Sequence, residues 1–137
     1  ELEKNHRLKE RVEAIRLQAG PMMNLGDVKA ASVPKMVLVS APTGGGVIST
    51  RSFIPHRVHS SIGVFAAISV ATATRLPASP AYSPALQPSD GRYQIEHPTG
   101  SMEVFLDIDA TGTQQAAGSV RTARKLLDGL VFPRLSM

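Results

Sequence analysis

A chain of 137 residues holds one ordinary domain with a core of its own and leaves no room for a second. Apolar residues make up 42% but aromatics only 4%, so the core must be aliphatic, and the absence of Cys excludes disulfides, thiolate metal sites and thiol nucleophiles from these residues. The net charge of +4 admits acidic partners, yet the basic residues are scattered from Lys4 to Arg134 without a continuous run and with few aromatics between them, which speaks against nucleic acid.

Along the chain, Leu8, Val12, Ile15 and Ala19 fall at helical spacing, with Lys4, Arg7, Lys9, Glu10, Glu13 and Arg16 on the remaining faces. This pattern predicts an amphipathic surface helix over residues 3–19, ended by Gly20-Pro21. The charged opening Glu1-Leu2-Glu3-Lys4 has no Met, and the chain starts inside this helix, so a fragment of a longer protein is expected. Lys35-Met36-Val37-Leu38-Val39 predicts a buried strand, Thr43-Gly44-Gly45-Gly46 a turn, and residues 47–54 a second strand, together an antiparallel hairpin. The glycine turn precedes a strand and no Gly-Lys-Ser/Thr follows, so it does not read as a phosphate loop. Residues 62–73 are apolar or small almost all the way round, which predicts a helix enclosed by other elements, with Ser60 and Ser61 available as caps.

Pro77, Pro80, Pro84 and Pro88 make residues 76–91 a surface loop. Tyr93 and Ile95, the turn Pro98-Thr99-Gly100, and alternating Met102, Val104, Leu106 and Ile108 predict another hairpin, with Asp107 and Asp109 facing solvent. Residues 120–132 suit helix or strand by propensity, and their closing apolar run favours strand. Hairpin-connected strands around one apolar helix give an α/β class of the α+β type, a mainly antiparallel sheet wrapped around a central helix, as a single domain over 1–137. No apolar stretch reaches the about 18 residues that span a bilayer, and a soluble, cytoplasmic protein without a membrane partner is expected.

Three stretches, taken together, resemble a known family. They are Asn24-Leu25-Gly26-Asp27 with Ser32-Val33-Pro34-Lys35-Met36 and Ser40-Ala41-Pro42; Ser49-Thr50-Arg51 through Phe53-Ile54-Pro55-His56-Arg57-Val58-His59 into Ser60-Ser61-Ile62-Gly63; and Glu96-His97-Pro98-Thr99-Gly100 followed by Arg121-Thr122-Ala123-Arg124-Lys125-Leu126-Leu127-Asp128-Gly129. In order and spacing they resemble the carboxy-terminal half of PrpF-type isomerases, the 4-oxalomesaconate tautomerase branch above all. The resemblance covers nearly the whole chain apart from the proline-rich loop. It implies one half of a diaminopimelate-epimerase-like two-domain fold, with substrate bound between the halves. It also implies a cofactor-independent shift of a double bond in a small unsaturated tricarboxylate, such as oxalomesaconate, aconitate or methylaconitate, by 1,3-proton transfer. The family's proton-transferring Lys and Cys would lie in the other half; none is expected among the residues of this chain.

A carbanion formed beside several carboxylates needs its charge held by fixed donors, and the start of the 62–73 helix offers free N–H groups and a favourable dipole. Ser60 and Ser61 can donate hydroxyls there, and His56, Arg57 and His59 lie on the approach, so residues 56–62, ending at Ile62, form the candidate polycarboxylate clamp. The competing reading of Ser60 and Ser61 is simple capping. His97-Pro98-Thr99-Gly100 reads either as a tight turn or, through His97 and Gly100, as a further ligand contact. His56 and His59 with only His97 nearby in type make no metal set, so no metal or organic cofactor is expected. Either the other half or a second copy of the chain should cover the apolar wall of the cleft. The alternative function is an inactive anion-binding or assembly domain derived from the same fold.

Overall fold

The first helix, α1 (His6–Met22), begins at Asn5, whose side-chain oxygen accepts the Leu8 N–H at 3.0 Å and so caps a free donor of the first turn. The computed structural model describes residues 2–133; Glu1 and Arg134, both used above, lie outside the described residues. Contrary to the expected stop at Gly20-Pro21, the helix runs through both. A proline in the last turn removes one N–H bond only, and glycine is required at 20 because an added Cβ would come within 2.5 Å of Val28 Cγ2. The true stop is Asn24, in the left-handed region at φ 59: its N–H donates to the Pro21 carbonyl and the Leu25 N–H to the Gly20 carbonyl, each at 3.0 Å.

The buried face of α1 is also not the one expected. It carries Val12, Arg16 and Gly20, while Ile15 is exposed. Arg16, placed on the polar side by the sequence pattern, is fully buried because the 28–33 loop and Glu13 satisfy it. Its Nη1 donates to the carbonyls of Val28, Ala31 and Val33 at 3.0, 3.1 and 2.6 Å. Its Nε and Nη2 donate to the two carboxylate oxygens of Glu13 at 2.7 and 2.8 Å.

The sheet has five strands in chain order: β1 (Met36–Ser40), β2 (Ile48–Phe53), β3 (Arg92–His97), β4 (Gly100–Ile108) and β5 (Gln114–Ser119). Both expected hairpins, β1–β2 and β3–β4, are present and antiparallel. They join through a short parallel seam, Ile48 beside Ile95 and Ser49 beside Glu96. The class is thus α+β with a mixed, mostly antiparallel sheet. β5 was not anticipated, since Gln-Gln-Ala-Ala-Gly-Ser is a poor strand former. Its pairing with β4 follows from the turn before it, where the Asp109 carboxylate accepts the N–H groups of Thr111 and Thr113 at 2.9 and 3.0 Å and Gly112 takes φ 85. The strand expected within 120–132 is absent: those residues have no regular structure and leave Leu126, Leu127, Leu130, Val131 and Phe132 exposed. β5 is the last strand of the sheet, and residues 120–132 do not add to its open edge.

The second helix, α2 (Val64–Ala73), packs on β3, β4 and β5. Ala67, Val70 and Ala71 meet Ile48, Tyr93, Ile95, Val104 and Leu106 in the core, and Val37 and Val39 of β1 close in from the side. The cover is one-sided, however: Phe65 is 87% exposed and Ser69 also faces out. In the proline-rich stretch, a single 3-10 turn (Pro84–Leu86) forms, Ala81 is buried, and Gln87 Nε2 donates to the Thr74 carbonyl at 3.1 Å, tying this loop to the end of α2. No described helix is long and apolar enough to cross a membrane.

Candidate functional site

Immediately after β2 the chain makes a tight turn. The Ile54 N–H donates to the Arg57 carbonyl at 3.0 Å, Phe53 bridges Val58, and the His59 N–H returns to the Ser52 carbonyl at 2.9 Å. Carboxylates from the start of the chain grip it on one side. Glu3 Oε2 accepts the Val58 N–H at 2.7 Å, and Glu13 Oε2 lies 3.7 Å from His56 Nδ1. The Val58 N–H and then the Lys9 ammonium, at 3.0 Å, hold the Glu3 carboxyl below its ordinary range. From the other side comes Thr99, whose hydroxyl donates to the Ser60 carbonyl at 2.8 Å and lies 3.3 Å from His97 Nδ1.

This arrangement gathers some of the expected site residues and separates others. His97 and Gly100, the ends of the β3–β4 turn, are joined through Thr99 to the 59–61 segment, where His59, Ser60 and Ser61 are all exposed. His56 instead faces α1, beside Glu13, and Arg57 is exposed near Glu3. The Ile62 side chain belongs to the core, so that position offers a ligand its backbone. Thr99, which sequence reasoning treated as turn filler, makes the link.

The helix tip itself differs from expectation in its cap. The N-cap of α2 is Gly63, with no side-chain cap bond, so Ser60 and Ser61 do not cap the helix as the sequence suggested. Helical bonding starts with the Ala67 N–H donating to the Gly63 carbonyl at 2.9 Å. The N–H groups of Val64, Phe65 and Ala66 therefore have no intrahelical acceptor, and no described side chain takes them. Gly63 and Val64 also line one end of a groove of about 660 Å³ between α2, β1 and the 23–35 loop. Its walls are mainly apolar, Met23, Leu25, Val37, Val39 and Phe65 among them, and among the described residues Lys35 is the one ionised side chain lining it. His56–Ile62, His97 and Gly100 lie outside that groove.

Sequence reasoning missed one charged group altogether. Glu96, only 7% exposed, puts its carboxylate into the Thr43–Gly46 turn. Oε2 accepts the Thr43 N–H at 2.8 Å and the Thr43 hydroxyl at 3.3 Å; Oε1 accepts the N–H groups of Gly44 and Gly46 at 2.7 and 2.9 Å. The Thr43 N–H first and the Gly46 N–H next hold the carboxyl below its ordinary range, against the opposing effect of burial. Gly45 takes φ 87, and a Cβ at Gly46 would meet the Gln94 carbonyl oxygen at 2.6 Å, so the turn can close on the acid only with glycine there. The Glu96 carbonyl in turn accepts the Thr50 hydroxyl at 2.6 Å. Nearby in sequence on β2, Ser52 Oγ is buried without a partner. Among the described residues no group of His, Asp and Glu side chains comes together in a way that could hold a metal ion.

Comparison with known proteins places these features in a family context. A family model described as PrpF protein matches residues 1–134. The chain is 53% identical over 133 residues to a (4E)-oxalomesaconate Delta-isomerase of Novosphingobium sp., covering 96% of this chain and 37% of that protein. It is 52% identical over 132 residues to a 4-oxalomesaconate tautomerase of Pseudomonas putida, covering 95% and 36%. The chain thus spans little more than a third of the length of these relatives. In structure it is similar to a methylitaconate-delta-isomerase, with a TM-score of 0.67 at 16% identity over 85% of this chain and 38% of that one, a likeness of fold.

Proposed function

This chain belongs to the PrpF protein family, and from that premise we propose that it is the carboxy-terminal, substrate-binding part of an isomerase that shifts a double bond in a small unsaturated tricarboxylate by 1,3-proton transfer without a cofactor. An oxalomesaconate-like acid is the favoured substrate, in keeping with the names of the two relatives that share about half their matched residues with it. The sequence holds no Cys, so the proton-transferring Lys and Cys that the family resemblance implies are assigned to the part of the protein outside this chain.

The observation that carries the proposal is the uncapped start of α2. Three N–H groups at the positive end of a helix dipole meet no described side chain, a few residues along the chain from the exposed Ser60 and Ser61. A substrate carboxylate placed there takes the acceptor role that no described side chain fills. As charge builds on the substrate during proton removal, such fixed donors stabilise it without reorganising. His97 and Gly100 border the same segment through Thr99, whereas His56, beside Glu13, and Arg57, near Glu3, are turned toward α1 and the start of the chain and are left out of the proposed contact set.

The apolar groove with exposed Phe65 is the wall on which the rest of the protein, or a second copy, is expected to sit, and we place the protein in the cytoplasm with neither nucleic acid nor membrane as partner. The test is an assay of the full-length protein against a panel of unsaturated tricarboxylates, following isotope exchange at the allylic carbon. Exchange with oxalomesaconate is the expected result; no exchange with any member, alongside retained binding of the acids, would favour the inactive anion-binding reading.

A further inference from the structure

We infer that Glu96 is a positioning residue for the proposed site: by anchoring its carboxylate in the Thr43–Gly46 turn it sets the place of the His97–Gly100 turn, and through Thr99 the place of the segment in front of α2. The inference rests on the functional reading above and adds a residue to it.

The sheet geometry shows why such an anchor is needed. β2 and β3 are paired over only two residue pairs, and the seam ends at Ser49 and Glu96. Beyond that point β2 continues to Phe53 and the 54–59 turn, whereas β3 turns back into β4 between His97 and Gly100. Nothing in the ladder fixes these two ends relative to each other. Glu96 ties β3 to the β1–β2 hairpin twice from the last paired position, once before β2 begins and once just beyond the seam. Its carboxylate takes three backbone N–H groups of the turn that leads into β2, and its carbonyl takes the hydroxyl of Thr50. With position 96 fixed, the following turn is aimed so that the Thr99 hydroxyl meets the Ser60 carbonyl at 2.8 Å. A carboxylate suits the task better than a neutral group, because an acceptor-only side chain matches a turn that presents only donors.

The experiment uses the full-length protein with Glu96→Ala, Glu96→Gln and Thr99→Val, and the double variant E96A/T99V, assayed for tricarboxylate isomerisation. Glu96→Ala is expected to raise KM about tenfold with kcat changed less than about twofold, as for loss of substrate positioning. Glu96→Gln, which keeps an acceptor for Gly44 and Gly46 but opposes a donor to the Thr43 N–H, should fall between parent and alanine. Because Glu96 acts through Thr99, the double variant should be no worse than the worse single one. A lowered melting temperature with KM unchanged, or fully additive effects, would overturn the inference. Should the parent protein isomerise no tricarboxylate, the functional reading is what fails. The positioning role is then decided by amide NMR of Glu96→Gln: it stands if the resonances of Ser60, His97, Thr99 and Gly100 shift along with those of Thr43, Gly44 and Gly46, and falls if only the latter shift.

Discussion

Backbone N–H groups converge both in the Thr43–Gly46 turn and at the tip of α2, and the two clusters differ in what meets them. In the Thr43–Gly46 turn the donors are consumed by a carboxylate of the chain itself, Glu96. At the tip of α2 the donors of Val64, Phe65 and Ala66 have no described side chain to meet them, although Ser60 and Ser61 stand close in sequence. The first cluster is closed and contributes to stability; the second is open and fits an acid from outside. Arg16 shows the closed arrangement with the opposite sign, a guanidinium consuming the carbonyls of the 28–33 loop.

If that contrast is right, emptying a closed cluster costs stability, and at Glu96 also substrate positioning through Thr99, whereas altering the open one costs binding with little loss of stability. The largest effect is expected from Arg16→Ala, which leaves three loop carbonyls and the Glu13 carboxylate without their partner; a loss of about 3–5 kcal/mol in urea unfolding is expected, as for breaking a buried ion pair. Gly46→Ala pushes a methyl against the Gln94 carbonyl and the Glu96 side chain and should cost about 1–3 kcal/mol in the same measurement. Acid titration probes the turn without mutation. Backbone N–H groups hold the Glu96 carboxyl below the ordinary glutamate range, so its contribution is present above the unfolded value and is lost as pH falls through the lower folded one. Stability should therefore be level from neutral pH down to the unfolded carboxyl range and decline below it, and Glu96→Gln should flatten that decline. At the open cluster, Ser60→Ala with Ser61→Ala should change unfolding stability by less than about 0.5 kcal/mol, since both are exposed, while weakening tricarboxylate binding measured by calorimetry. A large stability loss from the serine pair would erase the contrast.

Much of this was legible in the sequence wherever the signal was local. The two hairpins followed from apolar runs bounded by glycine and proline turns, and α2 from its unbroken small and apolar composition. What escaped depended on distant partners. Glu96 alternates with buried Tyr93 and Ile95 as a solvent-facing strand residue would, and only the fold brings the Thr43–Gly46 turn over it. The sole hint was the turn itself, whose crowded N–H groups call for an anion. Arg16 misled for the same reason, because carbonyls from a loop further along the chain turn a polar-face position into a buried one. β5 shows the reverse failure: weak strand formers are drawn into the sheet by the Asp109 turn, while the more apolar tail after them finds no ladder. The candidate site was legible in its segments, through family resemblance, but not in the bond that joins them, since Thr99 had only the signature of a turn.

The narrow parallel seam carries a consequence for assembly. Each hairpin closes over a short connection and can form early, but Ile48 and Ser49 meet Ile95 and Glu96 only after residues 54–91, with α2 among them, have been looped back. Joining the hairpins is thus the slow, non-local event, and substitutions along the seam, like those in hairpin turns already formed by then, should retard refolding more than they hasten unfolding.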